Sequence, residues 1–287
     1  MGTVTFTWKK PDMEFPQQNT ERALGQAIGA FNGGNLDVAV KICQAILRDR
    51  SAYPPAHQLL AVVYLHQGQV ATASDQIRLC LQARPDHIPS LVIAAKVARA
   101  GYDLVAAASY IQRAVTLAPG EAEPLYLSGL VLLEQAQLVA AIDVLERLVQ
   151  LHPSHALGWC SLGSAFQQSG LVEKAGVALA RATDLLPQHA DSWFNLGLVR
   201  QDARDFSGAT MAFRTALQHR PDFVEAAVNL GIVLQQRGAW DEAVSAYRKA
   251  YQLRADTFGR IANALTSGPC GRLWLDLNAL RRLLAAT

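Results

Sequence analysis

The sequence predicts an all-α solenoid of antiparallel helix pairs, and three observations carry that reading. Pro85, Pro119, Pro153, Pro187 and Pro221 stand 34 residues apart. A fixed period in this range marks a stack of one supersecondary unit repeated along the chain. With each proline as the thirty-second position, the frames run 20–53, 54–87, 88–121, 122–155, 156–189, 190–223 and 224–257. Their twentieth position is Ala39, Ala73, Ala107, Ala141, Ala175, Ala209 and Ala243, and their eighth is Ala27, Ala61, Ala95, Gly129, Gly163, Gly197 and Gly231. Within a frame the apolar residues recur at spacings of three and four, as in Trp159, Leu162, Gly163 and Phe166, which is the period of a helix face.

Residues 1–19 precede the first frame and read as an N-terminal extension. Trp8, Lys9, Lys10, Pro11 and Asp12 interrupt any apolar run of the signal-peptide kind. Val4 to Trp8 alternates and is expected as an extended segment that could lie against the repeats.

Each frame then divides into two helices. Breakers such as Gln168-Ser169-Gly170 and Gln236-Arg237-Gly238 separate them, glycine supplying the left-handed residue that ends the first helix. Asp37 and Asp241 are expected to cap the second helix. Proline closes the frame because it cannot continue a helix. The twenty-fourth position is always apolar, from Cys43 and Ile77 to Phe213 and Tyr247. The small eighth column is expected to face the twentieth, so that the two helices approach closely.

Residues 258–287 leave the frame. Phe258 to Leu265 continues as a helix over the last repeat, 266–271 forms a turn, and Asp276 opens a final helix through Leu284. Leu273-Trp274-Leu275 between them reads as a short strand and as an anchor for docking or self-assembly.

Trp159-x2-Leu162-Gly163-x2-Phe166, followed by Ala175, Leu179 and Pro187, resembles a tetratricopeptide repeat, as does Trp193-x2-Leu196-Gly197 with Ala209, Phe213 and Pro221. The resemblance spans seven frames over 20–257. It implies a right-handed superhelical stack and a concave surface lined by positions 2, 5, 6, 9, 12 and 13 of the first helices. On that surface the expected partner-binding residues are Leu59, Val62, Leu65, Val92, Lys96, Arg99, Tyr126, Leu127, Leu130, Asn195, Leu198 and Asn229. The lining is aliphatic in the earlier repeats and amide-rich from Ser161 onward, and an exposed apolar patch marks a partner surface. Asn195 and Asn229 share one column and resemble the asparagine ladder of O-linked N-acetylglucosamine transferases, where an amide grips a peptide backbone. The basic and asparagine positions of the co-chaperone carboxylate clamp are missing.

Charge and chemistry narrow the function further. The formal net charge is +2, without a basic stripe, which argues against nucleic acid as a partner. No apolar stretch approaches the ~20 residues of a membrane span. Cys43 and Cys80 fall on core columns, Cys160 on the lining and Cys270 in the turn, a distribution that suits a reducing cytoplasm. His152, His155 and His189 lack the converging ligands of a metal centre and read as turn residues. No phosphate loop or nucleophile elbow is present, so neither catalysis nor a cofactor is expected. The function expected is a protein-interaction scaffold or assembly adaptor. The alternatives are self-assembly through the N-terminal segment or the Trp274 region, and a targeting module for a separately encoded glycosyl- or methyltransferase.

Overall fold

The computed structural model describes residues 17–267 and 277–285. Every described element is helical, and the architecture is an all-α solenoid of stacked helix pairs. The chain divides into two compact units, Met1–Gln137 and Leu138–Thr287. In a solenoid each repeat touches only its neighbours, so the contact network has no single centre.

The first unit holds α1 (Gln17–Asn32), α2 (Leu36–Asp49), α3 (Pro54–His66), α4 (Val70–Ala83), α5 (Ile88–Ala100), α6 (Leu104–Leu117) and α7 (Ala122–Glu134). The second holds α8 (Leu138–Leu151), α9 (Ala156–Gln168), α10 (Val172–Leu185), α11 (Ala190–Asp202), α12 (Phe206–His219), α13 (Val224–Gln236), α14 (Trp240–Leu253), α15 (Phe258–Ser267) and α16 (Leu277–Ala285). Six frames each contain a packed pair: α1 with α2, α3 with α4, α5 with α6, α9 with α10, α11 with α12 and α13 with α14. Frame 122–155 contains α7 and α8, one in each unit. The helices expected over 258–265 and up to 284 are α15 and α16. Val4 to Trp8, Cys270 and Trp274 lie outside the described residues.

The breaker column is regular beyond its glycines. Gly34, Gly68, Tyr102, Ala136, Gly170, Arg204 and Gly238 are 34 residues apart and all have φ between 57° and 78°. The amide of each bonds back three residues and that of the next bonds back five, as Gly34 to Phe31 and Asn35 to Ala30. This is the Schellman ending, which satisfies carbonyls left over at the helix terminus. Tyr102, Ala136 and Arg204 therefore hold a backbone conformation that costs an L-residue roughly 1–2 kcal/mol.

Two of the prolines have acquired a partner. Their carbonyl accepts from the fourth position of the next frame: Trp159 Nε1 donates to Pro153 at 2.9 Å and Trp193 Nε1 to Pro187 at 2.8 Å. Ser51 takes the proline's place in the first frame, and His57 Nε2 donates to its carbonyl at 2.9 Å. The two tryptophans thus tie the Pro153 and Pro187 turns to the helices that follow them.

Two local expectations are corrected. Asp37 and Asp241 are not caps: α2 and α14 begin after Asn35 and Ala239, and both aspartates lie inside the first turn, where they face the positive end of the helix dipole. The side-chain caps of second helices are Asp103, accepting from the Ala106 amide at 3.0 Å, and Asp205, accepting from Gly208 at 2.9 Å. The small eighth column faces the twenty-fourth position rather than the twentieth. A Cβ on Gly163 would stand 2.5 Å from Leu179, and one on Gly197 would stand 2.5 Å from the Phe213 ring. On Gly231 it would strike the ring of Tyr247. The reason is size matching. Alanine stands in the frames with Cys43, Ile77 and Ile111, and glycine in those with Leu145, Leu179, Phe213 and Tyr247.

Candidate functional site

The first helices bring together positions 5, 6, 12 and 13 of adjacent repeats, and three contacts show the register. Arg99 Nε of α5 pairs with Glu134 Oε1 of α7 at 3.1 Å. Gln167 Nε2 of α9 donates to Asp202 Oδ2 of α11 at 2.8 Å. Asn195 Nδ2 of α11 lies 3.6 Å from Cys160 Sγ of α9. Each pair is 35 residues apart, one repeat plus one, so these positions form a continuous lining on neighbouring first helices within each unit. Lys96 Nζ adds a 2.5 Å pair with Glu123 Oε1.

The aliphatic residues of this lining divide by burial. Leu59 is 5%, Val62 8%, Val92 3% and Leu127 2% exposed. All four are among the partner-binding residues expected on the concave surface, and the structure places them in the core clusters of the first unit. Stacking of α3, α5 and α7 draws the inner edge of each first helix into the seam between repeats. Leu65, Tyr126 and Leu130 remain half-buried, the last two on the same helix as Glu123 and Glu134 of the Lys96–Glu123 and Arg99–Glu134 pairs. Each thus keeps part of its surface exposed, and Lys96, Arg99, Glu123 and Glu134 are paired with one another within the chain.

In the second unit the lining is mixed. Asn195, Leu198 and Asn229 are half-buried, with Phe194 between Phe213 and Phe223 at ring-centroid distances of 5.8 and 4.7 Å. Asn229 Nδ2 donates to the Glu225 carbonyl of its own helix at 2.8 Å. Each asparagine therefore spends a donor inside the chain, and the second N–H and the carbonyl are what it can offer to a backbone.

The titratable groups serve the scaffold. His155 Nδ1 accepts from the Gly158 amide at 2.9 Å and His189 Nδ1 from the Ser192 amide at 3.3 Å, so both cap first helices. His87 occupies the same column, with Nδ1 2.8 Å from Ser90 Oγ. Burial, reinforced by the charge of Arg84 for His87 and of His152 for His155, holds the pKa of both below the usual imidazole value. The sequence showed the shared column of His155 and His189, and the missed signal was that it coincides with the residue before each first helix. Burial pushes the Cys43 thiol up to about 12, and it raises Cys80 as well, so both act as small apolar residues. Glu242, beside Asp241, pairs with Arg214 across the repeats.

The proteins of known structure and family complete this picture. A tetratricopeptide-repeat profile matches residues 94–156, 126–190 and 194–258, which together span more than half of the chain. The chain belongs to the tetratricopeptide-repeat family. No match emerges among the curated proteins. Among solved structures it is similar to that of MamA, with 26% identity, 57% of this chain and 95% of that one covered, and a TM-score of 0.54. It shares the fold of YrrB, a TPR protein with an unusual peptide-binding site, at 18% identity, 64% and 95% coverage and a TM-score of 0.51. A tetratricopeptide-repeat protein from Parabacteroides merdae aligns over 93% of this chain and 99% of its own, at 13% identity and a TM-score of 0.64. No described helix is long and apolar enough to cross a membrane.

Proposed function

We propose that this tetratricopeptide-repeat chain is a non-catalytic interaction scaffold that receives a peptide or helix of a partner protein on the faces of its first helices. The observation that carries the reading is the 35-residue register of Arg99 with Glu134, Gln167 with Asp202 and Asn195 with Cys160. It supports a lining shared between successive repeats, which is what an extended ligand requires. Leu65, Tyr126 and Leu130 supply apolar contact in the first unit. Phe194, Asn195, Leu198 and Asn229 supply mixed contact in the second. Lys96, Arg99, Glu123 and Glu134 are paired with one another, so the first unit favours an apolar ligand segment over a charged tail. Such half-buried apolar groups with satisfied polar neighbours fit the centre of a protein interface.

The test is capture of partners on immobilised full chain, identified by mass spectrometry. Leu130→Asp and Tyr126→Ala are expected to remove the same bound proteins while leaving helicity unchanged. Leu127 is unsuitable for this purpose, because a charge at its buried site would unfold the repeat. Unchanged capture by both variants would move the binding site off this face.

A further inference from the structure

Four arginines follow the last turn of a second helix, at the thirty-first position of their frames: Arg50, Arg84, Arg220 and Arg254. In the second unit each holds a carboxylate from the second position of its own frame. Arg220 Nη2 stands 2.6 Å from Asp191 Oδ1, and Arg254 Nη2 stands 2.8 Å from Glu225 Oε1. The first frame has Glu21 in that column. The second frame breaks the pattern, because Pro55 stands where Arg84 would find its acid. The Arg84 backbone, at φ −140° and ψ 80°, matches that of Arg220 at −138° and 89°, so both side chains set out in the same direction. The charge of Arg84 reaches the start of α3. Burial raises the pKa of Tyr53, the residue before that helix, Glu21 adds to the rise, and Arg50 and Arg84 oppose it. Arg84 is exposed and holds no carboxylate among the described residues. Asp86, two residues on, is taken by Arg113 at 2.6 Å. One helical turn beyond Pro55, Gln58 is 2% exposed, and its Nε2 has no acceptor among the described residues. Burying a donor unpaired is costly. Two donors near the start of α3 thus lack an acceptor that the described chain does not supply.

We propose that Arg84 is a carboxylate-binding position completed by the partner: an Asp or Glu side chain of an extended peptide segment takes the place that Asp191 and Glu225 hold in their own frames. This rests on the first helices being a partner-binding face, and it adds the charge that the bound segment carries. Proline suits the open position. Its side chain offers a guanidinium no acceptor, and within the first turn it lacks only an N–H that the helix does not use, so α3 is undisturbed. Leu65, partly exposed on the same helix, lies ten residues beyond Pro55, a rise of ~15 Å. An extended chain covers that distance in about four to five residues. The segment that fits is therefore apolar, with a single acidic residue at that spacing from an apolar one. Further acids would meet Lys96 and Arg99, which are already paired.

The experiment selects random decapeptides on the immobilised full chain, displayed with both ends fused so that the carboxylates on offer are those of side chains. Wild type is expected to enrich peptides that carry an Asp or Glu at the stated spacing from a large apolar residue. Arg84→Gln should lose the acidic preference and keep the apolar one. Pro55→Glu should do the same, because it restores within the chain the pair that Arg220 makes with Asp191. Glutamate in the first turn also suits the helix dipole, so α3 is expected to remain formed. A selected peptide, synthesised with blocked ends, should bind Arg84→Gln about fivefold more weakly than wild type, the upper range for an exposed ion pair. With its acid replaced by the amide, it should bind the two proteins equally. Enrichment of apolar peptides without an acidic preference would overturn the assignment to Arg84 and leave the interaction face standing. An acidic preference that persists in either variant would refute it as well. A wild type that enriches no peptide would overturn both.

Discussion

Gly197→Ala isolates the size matching between the eighth and twenty-fourth columns. The added Cβ would stand 2.5, 2.7 and 2.9 Å from three carbons of the Phe213 ring. Phe213 is fully buried, and Phe194 packs 5.8 Å away, so the ring has little room to yield. Overpacking of this kind costs roughly 1–3 kcal/mol, and alanine returns about 1 kcal/mol through its better helix propensity. The expected net loss is about 1 kcal/mol. Phe213→Ile alone removes a net three side-chain carbons and leaves a cavity, a loss of about 2 kcal/mol at ~0.8 kcal/mol per carbon. The double variant recreates the alanine–isoleucine combination of Ala61 with Ile77 and Ala95 with Ile111, where both partners are buried in one cluster. Its new methyl fills the vacated space, so it should be more stable than Phe213→Ile by about 1 kcal/mol. Urea unfolding followed by circular dichroism and fitted with nearest-neighbour coupling between repeats measures all four proteins. Effects that add to within ~0.5 kcal/mol would refute the contact, since independent sites add and touching ones do not.

Other expectations follow from the helix ends. Tyr102→Gly and Arg204→Gly should each stabilise the chain by roughly 0.5–1 kcal/mol, the relief of left-handed strain less the extra entropy of glycine; Gly170→Ala at the same column should destabilise it, and thermal unfolding distinguishes the signs. His155 has a folded-state pKa below its unfolded value of 6.5, so the folded chain binds fewer protons at mildly acidic pH. Its contribution is therefore complete above that value and declines as pH falls through it. His155→Asp keeps a cap acceptor that remains ionised at pH 5, and the fall in melting temperature between pH 7 and 5 should shrink. Trp193→Phe deletes the donor to the Pro187 carbonyl and should cost about 1 kcal/mol, against no change if that bond contributes nothing.

Periodicity made the fold legible because every repeat solves the same packing problem with the same residue types. The proline, alanine and small columns alone locate the helices and turns. The candidate surface was less legible. Leu59 and Leu65 belong to the same first helix and look alike in sequence, yet the first is buried in the seam and the second is only partly covered. A residue's repeat position gives its direction on its own helix, but burial depends on how far the next repeat covers it.

By itself the sequence determined the period, the helix pairs and the family, since these depend on local patterning repeated along the chain. The tertiary structure decided what faces what. It set glycine against the large side chain of the twenty-fourth position rather than against alanine. It turned histidines into caps and tryptophans into ties to proline carbonyls. It also laid α16, not α15, along α14. Each of these is a contact between helices, and its geometry depends on the volume and shape of both partners at once, which no single column of residues contains.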